Sequence, residues 1–300
     1  MRVLVTGATG FVGNAVAEAF RRRGHRVAGL TRSAAKGRAL AAREIEPVVG
    51  DIKDPTTFGH AATAADVLVH CAAEYGPHYE AYDRRVTEAF LALAAKGPRL
   101  RTVIYTSGVW LYGDCGPEPV DETHAPENAH LIPWRGEHEK KVLAAGGLVI
   151  RPGCVYGGSG GLTGLWFGGA LEKGAAPIVG KGDNRWATVH ADDCGELYAL
   201  AAESGAKGEL FNATDRSRST VREMASAACR AAGKNGAVTE LSFADAEKAY
   251  GSMAHGLKLD QHVDSSKALR RLGWNPRFGG FADDAPRYFA AWSAARLKIV

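Results

Sequence analysis

Short runs of apolar, β-branched residues recur along the first half of the chain, and stretches with helical spacing separate them. Such runs are typical of strands buried on both faces. They occur at Arg2–Val5, Val27–Leu30, Glu46–Val49, Val67–Ala72, Thr102–Thr106 and Leu148–Arg151, with helical stretches at Asn14–Arg23, Tyr79–Ala95 and Trp134–Ala145. Because strands that alternate with helices pair in parallel through crossovers, the pattern predicts an α/β fold with a doubly wound parallel sheet.

The pattern changes after Tyr156. The glycine-rich segment Gly157–Gly169 predicts a loop or lid at the mouth of a site. Helices are predicted after it, the second capped by Asp192, at Trp166–Lys173, His190–Glu203, Thr220–Gly233 and Phe243–Tyr250, with a hairpin-like region at Pro177–Trp186. We therefore expect a sheet domain over residues 1–155, rejoined by 187–215, and a smaller C-terminal substrate lobe over 156–186 and 216–300.

Composition and charge narrow the class of protein. The 300 residues carry 37 Lys and Arg against 33 Asp and Glu, and the basic residues are scattered, so we expect no nucleic-acid partner. The apolar runs are too short to span a membrane. The five cysteines form no CxxC pair, which favours a reducing, cytoplasmic compartment and predicts neither a zinc site nor a disulfide framework.

The strongest chemical signal is a glycine-rich turn between the first strand and the first helix. Gly7, Gly10 and Gly13 stand at three-residue spacing at this turn. Glycines there allow a tight turn, a close approach of backbone to phosphates, and close packing of helix on strand. Together with a helix N-terminus they predict a dinucleotide pyrophosphate site, which also includes Thr9, Phe11 and Val12.

Further motifs follow in order along the chain, at Thr6–Gly13, Gly50–Ile52, His70–Ala73, Tyr105–Gly113, Arg151–Gly157, Val189–Asp193 and Asp264–Trp274. Together they resemble the extended short-chain dehydrogenases/reductases, in particular the NAD-dependent epimerase/dehydratase group. The resemblance implies a Rossmann sheet that binds a nicotinamide dinucleotide. It also implies that Asp51 and Ile52 contact the adenine, and that Ala72 and Ala73 leave room for the cofactor.

The end of the second strand predicts which dinucleotide binds. NAD-specific relatives carry an acidic residue there for the ribose hydroxyls, whereas this chain has Thr31 and Arg32, with Lys36 and Arg38 close behind. A guanidinium matches a 2′-phosphate better than a diol. We therefore expect NADP(H), with NAD(H) as the second choice.

The usual catalytic residues of the resembled family are missing. Its members use a Tyr-x-x-x-Lys pair, yet none of the nine tyrosines here has a lysine four residues later. Aligning the surrounding motifs puts Leu131 at the tyrosine position, Arg135 at the lysine position and Gly108 at the position of the partner serine or threonine. Carbonyl reduction still needs a proton donor near the developing alkoxide.

Several residues are candidates to replace the missing groups. Ser107 and Tyr112 flank Gly108, and His138 lies one helical turn after Arg135 with an ordinary pKa near neutrality. We expect Arg135 to hold the nicotinamide ribose or to polarise a substrate oxygen, because an arginine cannot act as an acid at neutral pH. Thr106 and Tyr75 are further candidates for the donor.

The substrate side offers weaker signals. Trp110 and Trp186 lie on segments that face the substrate in resembled proteins, Arg185 lies where those proteins hold a phosphate or carboxylate, and Tyr75 lies in the loop after the fourth strand. We therefore predict an atypical NADP(H)-dependent reductase or epimerase for a small polar or phosphorylated organic molecule. The alternative is a catalytically silent NADPH sensor or scaffold. The sequence fits a homodimer that forms through the helices at Tyr79–Ala95 and Trp134–Ala145. Because these helices carry several charges, it fits a monomer as well.

Overall fold

The centre of the fold, in a computed structural model that describes residues 1–96, 101–116, 118–126 and 131–296, is a seven-stranded parallel sheet. The strands of the protein are β1 (Arg2–Thr6), β2 (Arg26–Thr31), β3 (Glu46–Val49), β4 (Val67–His70), β5 (Thr102–Thr106), β6 (Leu148–Pro152), β7 (Cys154–Tyr156), β8 (Ala176–Val179), β9 (Thr188–His190), β10 (Leu210–Ala213) and β11 (Val238–Leu241). The sheet has the order β10-β6-β5-β4-β1-β2-β3. The predicted doubly wound parallel sheet is confirmed.

Helices cover both faces of this sheet. They are α1 (Phe11–Arg22), α2 (Ala34–Ala41), α3 (Gly59–Ala64), α4 (Tyr79–Ala94), α5 (Trp134–Ala144), α6 (Gly164–Lys173), α7 (Ala191–Glu203), α8 (Val221–Ala231), α9 (Phe243–Tyr250), α10 (Met253–Leu257), α11 (Ser266–Leu272) and α12 (Ala285–Ala294). Alternate residues of β1 enter different cores: Val3 and Val5 pack with α1 and α7, whereas Leu4 packs with α3 and α4. This period of two is what a strand buried on both faces requires.

A second core lies in the C-terminal half of the chain. It joins buried side chains of α6, α8, α9, α10 and α12, including Trp166, Phe167 and Met224, with Phe281 from the segment before α12. The paired strands β8 and β11 lie at its edge. The exact boundaries of the sheet domain and substrate lobe given above stay predictions.

Two local predictions are wrong. Residues Pro177–Trp186 form no hairpin, because β8 pairs in parallel with β11, and parallel neighbours need a crossover, here through α8. The cap of α7 is His190 and not Asp192: the His190 Nδ1 atom accepts a hydrogen bond from the Asp192 N–H at 3.1 Å.

Element ends also differ from the predicted ones in a way that matters for the site. The first helix begins at Phe11 instead of Asn14, and β4 ends at His70 instead of Ala72. The N-terminus of α1 therefore lies inside the glycine motif, and Ala72 belongs to the loop beyond the strand. In the part of the chain that the structure describes, no helix has both the length and the apolar character to cross a bilayer.

Candidate active site

The glycine-rich turn after β1 is shaped by close backbone contacts. Gly7 adopts a φ of +72°, and a Cβ added to it would lie 2.8 Å from the backbone of Ala72. A Cβ added to Gly13 would lie 2.2 Å from the Gly7 carbonyl oxygen, while the Gly10 N–H donates to that same oxygen at 2.8 Å. Side chains at Gly7 and Gly13 are therefore excluded by conformation and by space.

The start of α1 fits the phosphates of a dinucleotide. Its cap residue, Gly10, provides no side-chain hydrogen bond, and its first turn contains no acidic residue. The N–H groups of Phe11, Val12 and Gly13 begin the helix, where backbone donors and the helix dipole favour an anion. Phe11 also packs against the glycine-rich segment after β7, since a Cβ added to Gly160 would lie 2.7 Å from its ring.

The other residues predicted to bind the cofactor follow the carboxyl ends of adjacent strands. Thr31 ends β2 and Arg32 follows it, Asp51 and Ile52 follow β3, and Ala72 and Ala73 follow β4. Ligands of open α/β sheets bind along this edge, so the fold brings the predicted cofactor residues to one side of the sheet.

Arg32 has a partner that the sequence did not suggest. Its Nη1 lies 3.0 Å from Glu74 Oε2, and Lys53 Nζ lies 3.0 Å from Glu74 Oε1. The carboxylate thus joins two cations that come from the loops after β2 and β3. All three side chains are partly exposed, so an anion from solvent has access to both cations.

Arg135, the second residue of α5, lies beside the carboxyl end of β5. Its Nη1 donates to the Ser107 carbonyl oxygen at 3.0 Å, and a Cβ added to Gly108 would lie 4.0 Å from the same atom. Its Nη2 donates to the Tyr79 hydroxyl. Arg135 is 9% exposed, and no carboxylate lies within salt-bridge distance of it in residues 1–96, 101–116, 118–126 and 131–296.

Behind Arg135 lies a buried cluster built around Asp83 of α4. The Asp83 carboxylate accepts from Tyr105 Oη at 2.8 Å and pairs with His138 Nδ1 at 2.7 Å and His70 Nε2 at 3.5 Å. Thr6 Oγ1, in the strand leading into the glycine turn, lies 2.8 Å from His70 Nδ1. Burial opposes ionisation of Asp83, but the neighbouring histidines outweigh it and hold the pKa of the carboxyl well below its ordinary value.

Two of the residues predicted to be catalytic are held by other groups. Tyr112 Oη donates to Asn212 Oδ1 at 2.9 Å in the core, with the Arg151 guanidinium 4.6 Å from its ring centre. His138 is 3% exposed and holds Asp83. Ser107 is 5% exposed, and its hydroxyl has no hydrogen-bond partner in the part of the chain that the structure describes.

The residues predicted to contact substrate are spread over different surroundings. Trp186 is buried, stacks on Trp166 with ring centres 5.0 Å apart, and donates to the Leu257 carbonyl oxygen. Arg185 lies 3.6 Å from Asp260 through its Nε. Trp110 packs against Gly256 of α10, whereas Tyr75 is 83% exposed.

Four residues near the site were not predicted from the sequence: Tyr79, Glu74, Lys53 and Asp83. A signal existed for Asp83, because the buried residues of α4 fall at Tyr79, Asp83, Val86, Thr87 and Phe90, which is one helical face. A carboxylate on an otherwise apolar face indicates a buried partner. For Tyr79, Glu74 and Lys53 the sequence gives no comparable signal.

A parallel sheet with an uncapped, glycine-lined helix N-terminus at its carboxyl edge defines a dinucleotide-binding α/β protein. A sequence model described as the NAD dependent epimerase/dehydratase family matches residues 3–214. The chain belongs to the NAD-dependent epimerase/dehydratase family, and it is an enzyme of the NAD(P)-dependent oxidoreductase or epimerase type.

Individual relatives agree with this assignment. The chain is 31% identical to 3-diazoavenalumate denitrifying reductase from a Streptomyces species, over 96% of this chain and 100% of that protein. It is 27% identical to UDP-glucose 4-epimerase from Mycolicibacterium smegmatis, over 92% and 94% of the two chains. The solved structure of a DesIV double mutant, a dTDP-glucose 4,6-dehydratase from Streptomyces venezuelae with NAD bound, superimposes with a TM-score of 0.82 at 22% identity and covers 99% of this chain and 98% of that one. The last likeness shows the shared fold.

Proposed function

We propose that this enzyme reduces a carbonyl group of a small polar or phosphorylated organic molecule, with NADP(H) as the cofactor. The observation that carries the proposal is the buried Arg135 guanidinium at the end of β5, beside Gly108. The name of the Streptomyces relative, a reductase, supports reduction over epimerisation. A bound nicotinamide would supply the hydride.

Arg135 suits the stabilisation of a developing negative charge. A guanidinium removed from water and lacking a carboxylate partner within the described residues attracts an oxyanion more strongly than an exposed one does. Because arginine stays protonated, it donates hydrogen bonds and moves no proton itself. Its role in reduction would be to hold and polarise the substrate oxygen or the nicotinamide ribose.

The choice of NADP(H) is supported by the paired cations at the adenosine end. Arg32 and Lys53 both lie 3.0 Å from Glu74, so two positive groups flank the place where β2 and β3 end. A 2′-phosphate carries more negative charge than one carboxylate and can engage a guanidinium through two parallel hydrogen bonds. Among Thr31, Arg32 and Ser33 there is no acidic group to favour the ribose diol of NAD.

We expect Arg32→Ala to weaken NADPH binding about tenfold or more, because it removes a charge-assisted hydrogen bond to the phosphate. NADH binding should change by less than about threefold, since its ribose carries no phosphate. Fluorescence titration of the purified protein with each nucleotide measures both effects.

Arg22→Ala is the matched control for this experiment, because Arg22 is an exposed arginine at the end of α1. It should bind both nucleotides like the unaltered protein. Equal losses of NADPH and NADH affinity in Arg32→Ala would contradict the proposal that Arg32 binds the 2′-phosphate. If neither nucleotide binds the unaltered protein, the proposed function is wrong. Binding of NADPH without oxidation by diacetyl, ethyl acetoacetate or glyceraldehyde would favour the silent-sensor alternative.

A further inference from the structure

The hydrogen bond between Arg135 and Tyr79 has a fixed direction. Arginine has donors and no acceptor, so the Tyr79 oxygen accepts from Nη2. The hydroxyl hydrogen of Tyr79 is therefore not used in this contact. Within the described residues, no atom accepts that hydrogen. The Tyr79 phenol therefore accepts a hydrogen bond from Arg135 and keeps its own hydroxyl hydrogen available for donation.

The position of this phenol places it at the end of the site where chemistry is expected. One nitrogen of Arg135 contacts the carbonyl of Ser107, next to Gly108, and the other contacts Tyr79. The Arg135 guanidinium therefore links the Tyr79 oxygen to the backbone at the end of β5. Tyr79 is the first residue of α4, which begins on the carboxyl side of β4, the neighbour of β5 in the sheet.

Aromatic packing holds the Tyr79 ring in place. Its centre lies 5.1 Å from the ring of Trp134 in an edge arrangement and 5.0 Å from the ring of Tyr75. The Arg135 guanidinium carbon lies 5.5 Å from the same centre. Tyr79 is 8% exposed, whereas Tyr75 outside it is 83% exposed. Packing on several sides keeps the hydroxyl at one position, as a proton donor requires.

Other side chains with a titratable or hydroxyl group near β5 have their hydrogen bonds committed. Tyr112 donates to Asn212, and His138 is held by Asp83. Thr106 donates to Cys71 Sγ at 3.1 Å and accepts from Tyr198. Ser107 also keeps a hydroxyl without a partner in the described part of the chain, but Arg135 Nη1 contacts its carbonyl oxygen and not its hydroxyl.

We propose that Tyr79 is the proton donor of the reduction, held and assisted by Arg135, an assignment that rests on the proposed function. The Tyr79 Oη–H bond breaks as an O–H bond forms on the substrate oxygen. The electron pair for that bond comes from the carbonyl π bond, once its carbon has accepted the hydride. The tyrosinate that remains is balanced by the Arg135 cation and regains its proton from water before the next turnover.

The surroundings of Tyr79 favour this direction of reaction. Burial raises the pKa of Tyr79 well above its ordinary value, and the charge of Arg135 offsets only part of the rise. The phenol is therefore fully protonated at neutral pH and ready to give its proton to an alkoxide. The same property leaves little tyrosinate at neutral pH, and tyrosinate is the form that would act as the base in the reverse oxidation.

The first test follows the phenol directly by NMR. The full chain is labelled with [ζ-¹³C]tyrosine, and the Tyr79 signal is identified by its loss in Tyr79→Phe. We expect this signal to move when NADP⁺ is added, because the proposed function puts the nicotinamide beside Tyr79. The signal of Tyr250, a half-buried tyrosine at the end of α9, should stay in place.

The second test measures NADPH oxidation with diacetyl as the carbonyl probe. Tyr79→Phe should lose about 100-fold or more in kcat while its NADPH affinity stays unchanged, since a positioned acid contributes that much to proton transfer. Tyr250→Phe is the control and should keep its rate. A Tyr79 signal that NADP⁺ binding leaves unmoved overturns the assignment, as does a Tyr79→Phe protein as fast as the unaltered one. A loss seen in Ser107→Ala but not in Tyr79→Phe would transfer the role to Ser107. Failure of both nucleotides to bind would instead remove the proposed function itself.

Discussion

Asp83→Ala is expected to lower the free energy of unfolding by about 3–5 kcal/mol, because it leaves two buried groups without their hydrogen-bond partner and removes the carboxylate beside a third. The Asp83 carboxylate, 2% exposed, is hydrogen-bonded to Tyr105 and His138, and His70 Nε2 lies 3.5 Å from it. Its removal also leaves space behind Arg135. Urea unfolding followed by circular dichroism at pH 7 measures the change.

The control for this prediction lies on the same helix. Glu88 pairs with Lys141 at 3.5 Å, and both side chains are more than half exposed. Glu88→Ala should therefore cost less than about 1 kcal/mol. An Asp83→Ala protein that unfolds within 1 kcal/mol of Glu88→Ala would show that the cluster does not stabilise the fold.

The effect of Asp83 should also depend on pH in a defined direction. The folded state lowers the pKa of this carboxyl, so the unfolded chain binds the proton first as the pH falls. The stabilisation is present above roughly pH 4, the ordinary range of an aspartate, and is lost progressively below it. The difference between the unaltered protein and Asp83→Ala should shrink in acid.

Asp215→Asn is expected to raise the free energy of unfolding at pH 8, the opposite of the effect of Asp83→Ala. Asp215 follows β10 and is 8% exposed, and burial raises the pKa of its carboxyl from 3.8 to about 7, although bonds from Ser217 and Thr188 partly counter this. The unfolded chain has already lost this proton above pH 4, while the folded chain keeps it until near pH 7. The free energy of unfolding therefore falls by about 1.4 kcal/mol per pH unit in this window.

Asparagine removes that loss, because it stays neutral at every pH in the range. At pH 8 we expect Asp215→Asn to be more stable than the unaltered protein by about 3 kcal/mol, once about 1 kcal/mol is subtracted for a weakened hydrogen bond. Unfolding in urea at pH 4, 6 and 8 gives the profile. Asp183→Asn, at an exposed aspartate, is the control. Parallel pH profiles for Asp215→Asn and the unaltered protein would contradict the prediction.

The assignment of Tyr79 gives the enzyme a different route to the chemistry of its family. Family members with the Tyr-x-x-x-Lys pair place tyrosine and lysine four residues apart on one helix. Here the cation is on α5 and the phenol is on α4, 56 residues earlier in the chain. Loss of the family motif from one helix is therefore compatible with an enzyme whose catalytic pair is divided between two helices.

The glycine-rich turn after β1 could be predicted from the sequence because its requirements are local. Gly7 needs a positive φ, and Gly13 needs the space beside the Gly7 carbonyl. Both demands act over a few residues and leave a fixed spacing in the chain. The runs of β-branched residues similarly predicted all six strands of the first half to within one or two residues, because burial on both faces makes them continuously apolar.

The second half of the chain was harder to predict, because its elements are short and their pairing is not sequential. Strands β8 and β11 become partners only after α8 has crossed between them, so the turn signals near Gly180 and Gly182 suggested a hairpin that does not form. Short strands such as β7 and β9 carry too few residues for a period to be seen.

The sequence by itself determined the sheet and the glycine turn, since both depend on residue type and spacing along the chain. Only the tertiary structure decided which side chains meet. It brought Tyr79 to Arg135, and it joined Arg32 and Lys53 through Glu74. Contacts of this kind depend on how loops and helices from separate strands converge at one edge of the sheet. That convergence is fixed by packing across the whole core, which leaves no local pattern at the residues concerned.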